Sequence, residues 1–165
     1  MRMKQTFRNH LKALEFNITV FLLVLGFCLY FNYGLETFLW VQLVFGVVVN
    51  FWAIAIHIQY SIKNAGEEAE VTTNGITIWK NKSATFYPKE DLVEIMVMKS
   101  AAKDKGSFQI SSLDSYYYAR ITTKAGQFIF ITCLMSPEVD TEVQKLEGVP
   151  LERRRGAGFL SKRRV

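Results

Sequence analysis

Side chains that commonly act as nucleophiles, bases or metal ligands are rare in this 165-residue chain. The histidines are His10 and His57, and the cysteines are Cys28 and Cys133. None of the four has a histidine or cysteine partner at the short spacing typical of a zinc site. Lone cysteines in apolar sequence are usually small buried hydrophobes. The sequence therefore predicts no catalytic residue, no metal site and no cofactor.

Two polar clusters are further candidates for binding chemistry. Glu67, Glu68 and Glu70 lie close together and would suit a cation, but a solvated linker is the favoured interpretation. The run Tyr116–Tyr118 could stack nucleobases. Side chains alternate between the two faces of a strand, so the middle tyrosine would point away from the other two. Packing in a core is the favoured interpretation.

The charge pattern argues against a nucleic-acid partner, although the net charge is +5 and the pI is about 9.2. Residues 1–15 carry a net charge of +3 and residues 151–165 a net charge of +5. Residues 64–150, the largest polar block, carry a net charge of −3. A nucleic-acid-binding domain usually has its positive face on the fold itself. Binding to nucleic acid is therefore not expected.

Two long apolar runs dominate the first third of the chain. Residues 16–35 and 37–62 contain no charged side chain. A helix needs about 20 mainly apolar residues to cross the hydrocarbon core of a bilayer. The runs predict two transmembrane helices, at about residues 16–33 and 37–60. A bulky sequence, "CLYFNYG", stands where the cleavage site of a signal peptide would need small residues.

Basic residues flank this predicted hairpin on one side only. They are frequent in residues 1–15 and return at Lys63, whereas the connection "NYGLE" (residues 32–36) has none. The positive-inside rule then places both termini in the cytoplasm. The connection is expected to form a tight turn outside, with Gly34 at positive φ.

A stripe of small and polar residues is expected on one face of the second helix. It comprises Gly46, Asn50, Ala53 and His57. Such stripes usually mark helix-packing surfaces in membranes, against the first helix or a second copy of the chain. The alternative is a proton or ion path through Asn50 and His57. Which face of the first helix would meet this stripe stays open, because Asn17 and Gly26 lie on opposite sides.

Beyond a predicted linker at residues 63–68, the apolar pattern changes to a period of two, which is typical of strands. Asn74-Gly75 and Gly126 mark two hairpin turns. A C-terminal helix is predicted at residues 137–147, capped by Ser136 and with Pro137 in its first position. Residues 69–148 are thus expected to form a small antiparallel sheet or barrel closed by a helix.

The order of these elements resembles bacterial pleckstrin-homology-like (PH-like) domains carried behind a two-helix membrane anchor. The resemblance covers residues 69–147 and rests on "TNGITIW", on "FYPKEDLVEI" and on "ARITTKAGQFIFI" followed by the helix. It implies an α+β membrane protein with a seven-stranded, partly closed barrel. Inositol phosphate binding, known from eukaryotic relatives with a basic first loop, is not expected, because Thr73-Asn74-Gly75 carries no Lys or Arg.

The C-terminal residues 149–165 are predicted to be a disordered basic tail. Six basic residues are candidates for contact with anionic lipid: Arg153, Arg154, Arg155, Lys162, Arg163 and Arg164. Each charge near an anionic surface contributes on the order of 1 kcal/mol. A solubilising tail without lipid contact is the alternative.

These features favour a non-catalytic adaptor or scaffold that presents a cytoplasmic PH-like module at the membrane. The expected partners are membrane lipids, a membrane or cytoplasmic protein, and a second copy of the chain. From the family resemblance, the expected location is the bacterial inner membrane. The alternative function is a small pore or an accessory subunit of a transporter.

Overall fold

The computed structural model describes residues 2–44, 50–107, 111–156 and 158–160. Gly46 of the predicted helix-packing stripe lies outside these residues. So do three of the predicted lipid contacts: Lys162, Arg163 and Arg164.

The first sheet is antiparallel and has the strand order β1-β2-β3-β4. Its strands are β1 (Arg2–Lys4), β2 (Glu67–Thr72), β3 (Gly75–Lys80) and β4 (Ser83–Pro88). In β1, Met3 is buried, whereas Arg2 pairs with Glu70 and Lys4 with Glu68. The predicted basic N-terminal segment, residues 1–15, therefore begins as part of a sheet. The predicted linker at residues 63–68 likewise runs into β2.

Three helices follow β1: α1 (Phe7–Tyr30), α2 (Leu35–Val44) and α3 (Asn50–Lys63). Helix α1 starts well before residue 16 because Thr6 caps it, with the hydroxyl accepting a hydrogen bond from the Asn9 amide at 3.2 Å. At the connection to α2, Asn32 takes the left-handed conformation with φ of 54°, and Gly34 does not. The expectation of a positive φ at Gly34 was wrong, since an asparagine also tolerates this conformation.

Among the described residues, α1 is the one helix long and apolar enough to cross a membrane by length and composition. Only 11% of its most apolar 18-residue window is buried. Core helices and signal sequences can meet the same criteria of length and composition. The predicted second span, 37–60, corresponds to α2 and α3, and residues 45–49 between them lie outside the described chain.

The second sheet has the strand order β7-β6-β5-β8. Its strands are β5 (Leu92–Lys99), β6 (Tyr118–Thr123), β7 (Phe128–Thr132) and β8 (Leu151–Arg155). Strand β8 runs parallel to β5. This corrects the prediction of disorder for residues 151–155. The sequence "LERRR" was not recognisable as a strand because it lacks the apolar alternation that a half-buried strand normally shows.

Two short α-helices, α4 (Ala101–Lys105) and α5 (Val139–Val143), and two 3₁₀ helices, Lys89–Asp91 and Ser112–Ser115, complete the described fold. Helix α5 is shorter than the predicted helix at residues 137–147. The Ser136 hydroxyl accepts a hydrogen bond from the Glu138 amide at 3.1 Å, which orders the turn before α5.

The core lies between the two four-stranded sheets, and they do not form one closed barrel in the described part of the chain. Tyr116, Tyr117 and Tyr118 are all buried in it, as predicted for core packing. Helix α3 contributes Ile56 and Tyr60 to the same core. Helices and sheets are therefore packed into one unit.

Candidate functional site

The junction between the helices and the sheets is the most highly organised polar region of the described chain. We use "the junction" for the contacts of Gln5, Asn9, His10, His57, Tyr60 and Asn64 with the sheets and the C-terminal segment. Asn9 lies in the first turn of α1 and is buried. Its Nδ2 atom donates to the carbonyl oxygens of Leu134 at 3.0 Å and Met135 at 3.1 Å. The start of α1 is thereby fixed to the segment after β7.

Asn64 makes the corresponding contact after α3. Its side chain is completely buried beside the outer edge of β7. The Nδ2 atom donates to the Phe130 carbonyl at 2.9 Å, and the Oδ1 atom accepts from the Thr132 hydroxyl at 2.8 Å. Gln5 connects the two helices, since its Nε2 atom donates to the carbonyls of Tyr60 and Ser61, both at 3.1 Å. These amides supply hydrogen-bond partners to backbone carbonyls at the base of the helices.

The chain's two histidines meet at the junction. Nδ1 of His10 lies 3.0 Å from Nε2 of His57, and Nδ1 of His57 lies 3.0 Å from the Tyr116 hydroxyl. Burial, with a smaller contribution from Cys133, raises the pKa of Tyr116 well above its ordinary value, so the phenol stays protonated. If this hydroxyl donates to Nδ1 of His57, the neutral His57 ring donates from Nε2 to His10. The three side chains then form a directed chain of hydrogen bonds.

The C-terminal segment returns to α3 at the junction. The Tyr60 hydroxyl donates to the Gly158 carbonyl at 2.5 Å, and the Leu160 amide donates to Oε1 of Gln59 at 3.1 Å. A Cβ atom on Gly158 would lie 2.8 Å from the Tyr60 hydroxyl oxygen and 2.9 Å from the Tyr116 carbonyl oxygen, so only glycine fits here. The Phe159 ring contacts Trp52 edge to face, with centroids 5.8 Å apart.

The predicted helix-packing residues within the described chain have different surroundings. Ala53 is completely buried, and His57 belongs to the hydrogen-bonded chain. The Oδ1 atom of Asn50 is shielded from solvent and has no hydrogen-bond partner among the described residues. The same holds for Oδ1 of Asn17 and Nε2 of Gln42. A role of this stripe in contacts between membrane helices stays a prediction.

The three arginines of β8 lie in ion pairs. Arg153 bonds Asp140 at 3.2 Å, Arg154 bonds Glu152 through two nitrogens at 2.7 and 2.8 Å, and Arg155 bonds Asp104 at 2.9 Å. Two of these pairs connect β8 to α4 and α5. Contact of these three arginines with anionic lipid stays a prediction. Their ion pairs give them a role within the fold.

Asp140 is the centre of the largest of these networks. It accepts from Lys99 at 2.6 Å as well as from Arg153. Partial burial alone would raise the pKa of Asp140, but the hydrogen bonds and charges of Lys99 and Arg153 outweigh this effect and lower it. The carboxylate joins α5 to both β5 and β8.

A cavity of about 250 Å³ opens beside the base of α1. Cations and acids share its lining, with Lys12 and Lys103 near Glu15 and Glu138. Cys133 lies at this cavity, and burial raises the pKa of its thiol to about 12. A thiol of this kind is protonated at neutral pH and is a poor nucleophile. In the described parts of the chain, no three His, Cys, Asp or Glu residues are grouped to hold a metal ion.

A family model described as "PH domain" matches residues 2–143. The chain belongs to the PH-domain family. No curated protein and no solved structure matches it. The match starts in β1 and therefore contains α1, α2 and α3. In the structure the apolar helices lie between the first and second strands of the first sheet, and the predicted domain boundary at residue 69 stays a prediction. The strand β8 lies beyond the matched residues.

Sequence reasoning missed the amide contacts of the junction. The three amide residues lie at or next to helix ends: Gln5, Asn9 and Asn64. Asparagine is common there as a capping residue, so its presence did not indicate a tertiary contact. Their partners are mostly backbone carbonyls, which carry no signature in the sequence. The contact of His10 with His57 also spans 47 positions.

Proposed function

We propose that this protein is a non-catalytic adaptor in which a PH domain is held in a fixed orientation at a membrane surface to bind a protein partner. In this proposal α1 and residues 35–63 form the membrane tether, and the sheets lie in the bacterial cytoplasm. Family membership supports the binding role, since PH domains are generally interaction modules rather than enzymes.

Exposed apolar side chains on the helices support the tether. Large hydrophobic residues that are at least half exposed on α1 to α3 include Leu22, Leu23, Leu29, Leu39, Trp40, Phe51 and Ile58. A soluble monomer rarely exposes a contiguous apolar surface of this extent, because contact with water is unfavourable. Lipid tails would remove this cost.

The single observation that carries the proposal of a fixed orientation is the set of buried amide contacts at the junction. Asn9 joins α1 to the segment after β7, and Asn64 joins the end of α3 to β7 itself. A flexible linker would let the domain swing, whereas these contacts hold it to the helices. The protein would thus act by localising its partner at the membrane, with a defined face of the PH domain toward the cytoplasm.

The course of the C-terminal segment supports contact of the tail with lipid. Phe159 and Leu160 lie along α3 beside Trp52 and Gln59. Tryptophan is enriched at membrane interfaces. Lys162, Arg163 and Arg164 follow Leu160 within four positions of the sequence.

Extraction and labelling test the proposal. The full-length protein should stay in the membrane pellet after washing with alkaline carbonate. In a background of Cys28→Ser and Cys133→Ala, a cysteine at Gly34 should react with an impermeant maleimide on intact cells. A cysteine at Ser107, an exposed residue after α4, should react only after lysis. Release by carbonate, or labelling of position 107 on intact cells, would refute the tethered cytoplasmic arrangement.

A further inference from the structure

The cavity beside the base of α1 has a charged rim that the fold itself does not use. Four charged side chains line it: Lys12 and Glu15 of α1, Lys103 of α4, and Glu138 just before α5. All four are exposed, and the ion pairs of the described residues lie elsewhere. Even Lys12 and Glu15 do not pair, although opposite charges three positions apart on a helix often do. The rim therefore offers two cations and two acids to a ligand.

The floor of this cavity contributes little to recognition, because two of its polar side chains are already used by the fold. The Asn9 side chain donates to the carbonyls of Leu134 and Met135. The Tyr117 hydroxyl donates to the Pro137 carbonyl. These bonds hold the floor in place, so the selectivity of the cavity depends on its rim.

The balance of charges on the rim favours a ligand that carries both signs. An anion alone would be repelled by Glu15 and Glu138, and a cation alone by Lys12 and Lys103. A small zwitterion with a phosphate and an ammonium group can contact all four side chains. The cavity volume of about 250 Å³ is below the range of about 300–1,000 Å³ usual for drug-sized ligands, which suits such a small group.

A primary ammonium group suits this rim better than a quaternary one. It has three N–H donors, and carboxylates such as those of Glu15 and Glu138 are pure acceptors. A quaternary ammonium group has no donor and is usually bound by the faces of aromatic rings. The ring of Tyr117 lines the cavity, but the Nζ atom of Lys103 already lies 5.1 Å from its centroid. Phosphoethanolamine has the favoured combination of groups.

An apolar path leads from the cavity along α1. A neighbouring depression shares Lys12 and Glu15 with the cavity and is also lined by Leu11 and Ile18, with Arg8 at its other end. Leu11 is 42% exposed and Ile18 is 40% exposed. The charge-free run of α1 begins directly after Glu15. A headgroup in the cavity would thus have room for attached acyl chains beside the apolar part of the helix.

We propose that this cavity binds the phosphoethanolamine headgroup of a membrane lipid, phosphatidylethanolamine. Lys12 and Lys103 contact the phosphate, and Glu15 and Glu138 accept hydrogen bonds from the ammonium group. Soluble phosphoethanolamine has the same headgroup chemistry, but only the lipid also uses the apolar path along α1. Because the four side chains come from α1, α4 and the segment before α5, the bound headgroup connects the helices to the domain.

This inference rests on the proposed function in one respect, which is that α1 lies in a membrane. The base of the helix, at Lys12 and Glu15, is then at the level of the lipid headgroups. The headgroup reaches the cavity from the cytoplasmic leaflet, on the side where the sheets lie. The lipid would thereby help to hold the domain in its orientation.

Competition between two lipids tests the proposal. The full-length protein, purified in a mild detergent, is offered equal amounts of phosphatidylethanolamine and phosphatidylcholine with the same acyl chains. Native mass spectrometry counts the lipids retained. The two lipids have the same net charge, so the basic C-terminal residues do not distinguish them. We expect about fivefold more phosphatidylethanolamine to be retained, because two exposed carboxylates contact its ammonium group. Equal retention overturns the proposal.

Removal of the acids tests the contact with the ammonium group. The variant E15Q/E138Q should lose the preference, so that phosphatidylethanolamine is retained no better than phosphatidylcholine. The matched control is E90Q/E147Q, which removes two exposed acids that do not line the cavity. It should keep the original preference. A preference that survives in E15Q/E138Q, or that disappears equally in the control, overturns the assignment.

Removal of the lysines tests the contact with the phosphate. The variant K12Q/K103Q should retain about fivefold less of both lipids, because both contain the phosphate group. The control K105Q/K124Q removes two exposed lysines outside the cavity lining and should retain both lipids as before. Unchanged retention in K12Q/K103Q overturns the phosphate assignment.

Soluble phosphoethanolamine distinguishes the two sources of the headgroup. Added at the same concentration as the lipid, it should displace little bound lipid, because it cannot use the apolar path. Displacement of half the lipid or more would overturn the assignment to a lipid. If the protein stays in carbonate-washed membranes but shows no preference between the two lipids, this inference fails and the tether proposal stands. Release by carbonate refutes the tether whatever the preference.

Discussion

The Nδ1 atom of His10 lies 3.0 Å from the Nε2 atom of His57, so the chain's two histidines join the start of α1 to α3. The other nitrogen of His57 contacts the Tyr116 hydroxyl, which belongs to the sheet core. One proton between the two histidine rings is favourable. The pair therefore acts as a structural bridge between the two helices.

The bridge predicts a measurable coupling between His57 and Tyr116. His57→Leu leaves the buried Tyr116 hydroxyl without its partner and should lower the free energy of unfolding by about 1–3 kcal/mol. Tyr116→Phe removes that hydroxyl, so adding His57→Leu to it should cost less than the same change in the original chain. The double-mutant cycle compares the original chain, the two single variants and the double variant. Denaturant unfolding in detergent micelles, followed by fluorescence, measures the free energy of unfolding of all four.

Tyr30→Phe is the matched control for the hydroxyl, since Tyr30 is 83% exposed and its loss should leave the unfolding free energy nearly unchanged. Additive effects of His57→Leu and Tyr116→Phe would show that the 3.0 Å contact contributes no coupling.

Asn64 is expected to control how firmly the sheets are attached to α3. Asn64→Leu keeps a similar volume but leaves the Phe130 carbonyl and the Thr132 hydroxyl buried without partners. With a cost of about 1–3 kcal/mol for each such group, the expected loss is roughly 2–4 kcal/mol. The amides of β7 should exchange hydrogen faster, because the outer edge of the strand is opened.

Hydrogen exchange followed by mass spectrometry measures this effect peptide by peptide. Asn74→Ala is the control, since this asparagine is exposed in the turn between β2 and β3. Unchanged exchange of β7 in Asn64→Leu would remove the argument for a fixed orientation of the domain.

Much of the sheet structure was predictable because alternating apolar residues specify it locally. Strands β2 to β7 lie within the predicted pattern, and the hairpin with Gly126 at φ of 75° was recognised from its turn residue. Strands β1 and β8 were not predicted. The first is too short to show a period, and the second is held by ion pairs of Arg153 and Arg155 with residues far away in sequence.

The junction could be predicted even less, since its specificity lies in contacts between distant residues. His57 was singled out as part of a helix-packing stripe, but the sequence does not indicate that His10 is its neighbour. Asn9 and Asn64 recognise backbone carbonyls of residues that the sheet topology brings to them. The position of the helices between two strands of one sheet depends on β1, a three-residue strand, and could not be recognised without it.

The stability of the domain should depend on pH through Asp140. Its pKa is lower in the folded protein than in the unfolded chain, so its contribution is present above the unfolded pKa of about 3.9 and is lost as pH falls through the folded value. At pH 7, Asp140→Asn should cost about 1–2 kcal/mol, because the hydrogen bonds to Lys99 and Arg153 become weaker. Below the folded pKa of Asp140 the two proteins should unfold with nearly the same free energy.

Unfolding curves at a series of pH values measure this convergence, with Glu147→Gln as a control at an exposed carboxylate. A difference between Asp140→Asn and the original chain that stayed constant from pH 7 to pH 3 would show that the charge of Asp140 is not its cause.

Replacing Lys162, Arg163 and Arg164 by glutamine should reduce the preference for anionic lipid. The segment before them is fixed beside Trp52 through Phe159, and each basic residue near an anionic surface contributes about 1 kcal/mol. With Trp40 and Trp79 changed to phenylalanine, quenching of Trp52 by brominated phosphatidylglycerol, compared with brominated phosphatidylcholine, measures the preference.

The control replaces Lys82, Lys105 and Lys124, which have the same total charge on the sheets and α4. The preference should fall with the first triplet, persist with the second, and weaken in high salt because exposed charges are screened. An equal fall with both triplets would assign the effect to net charge and not to the position of the tail.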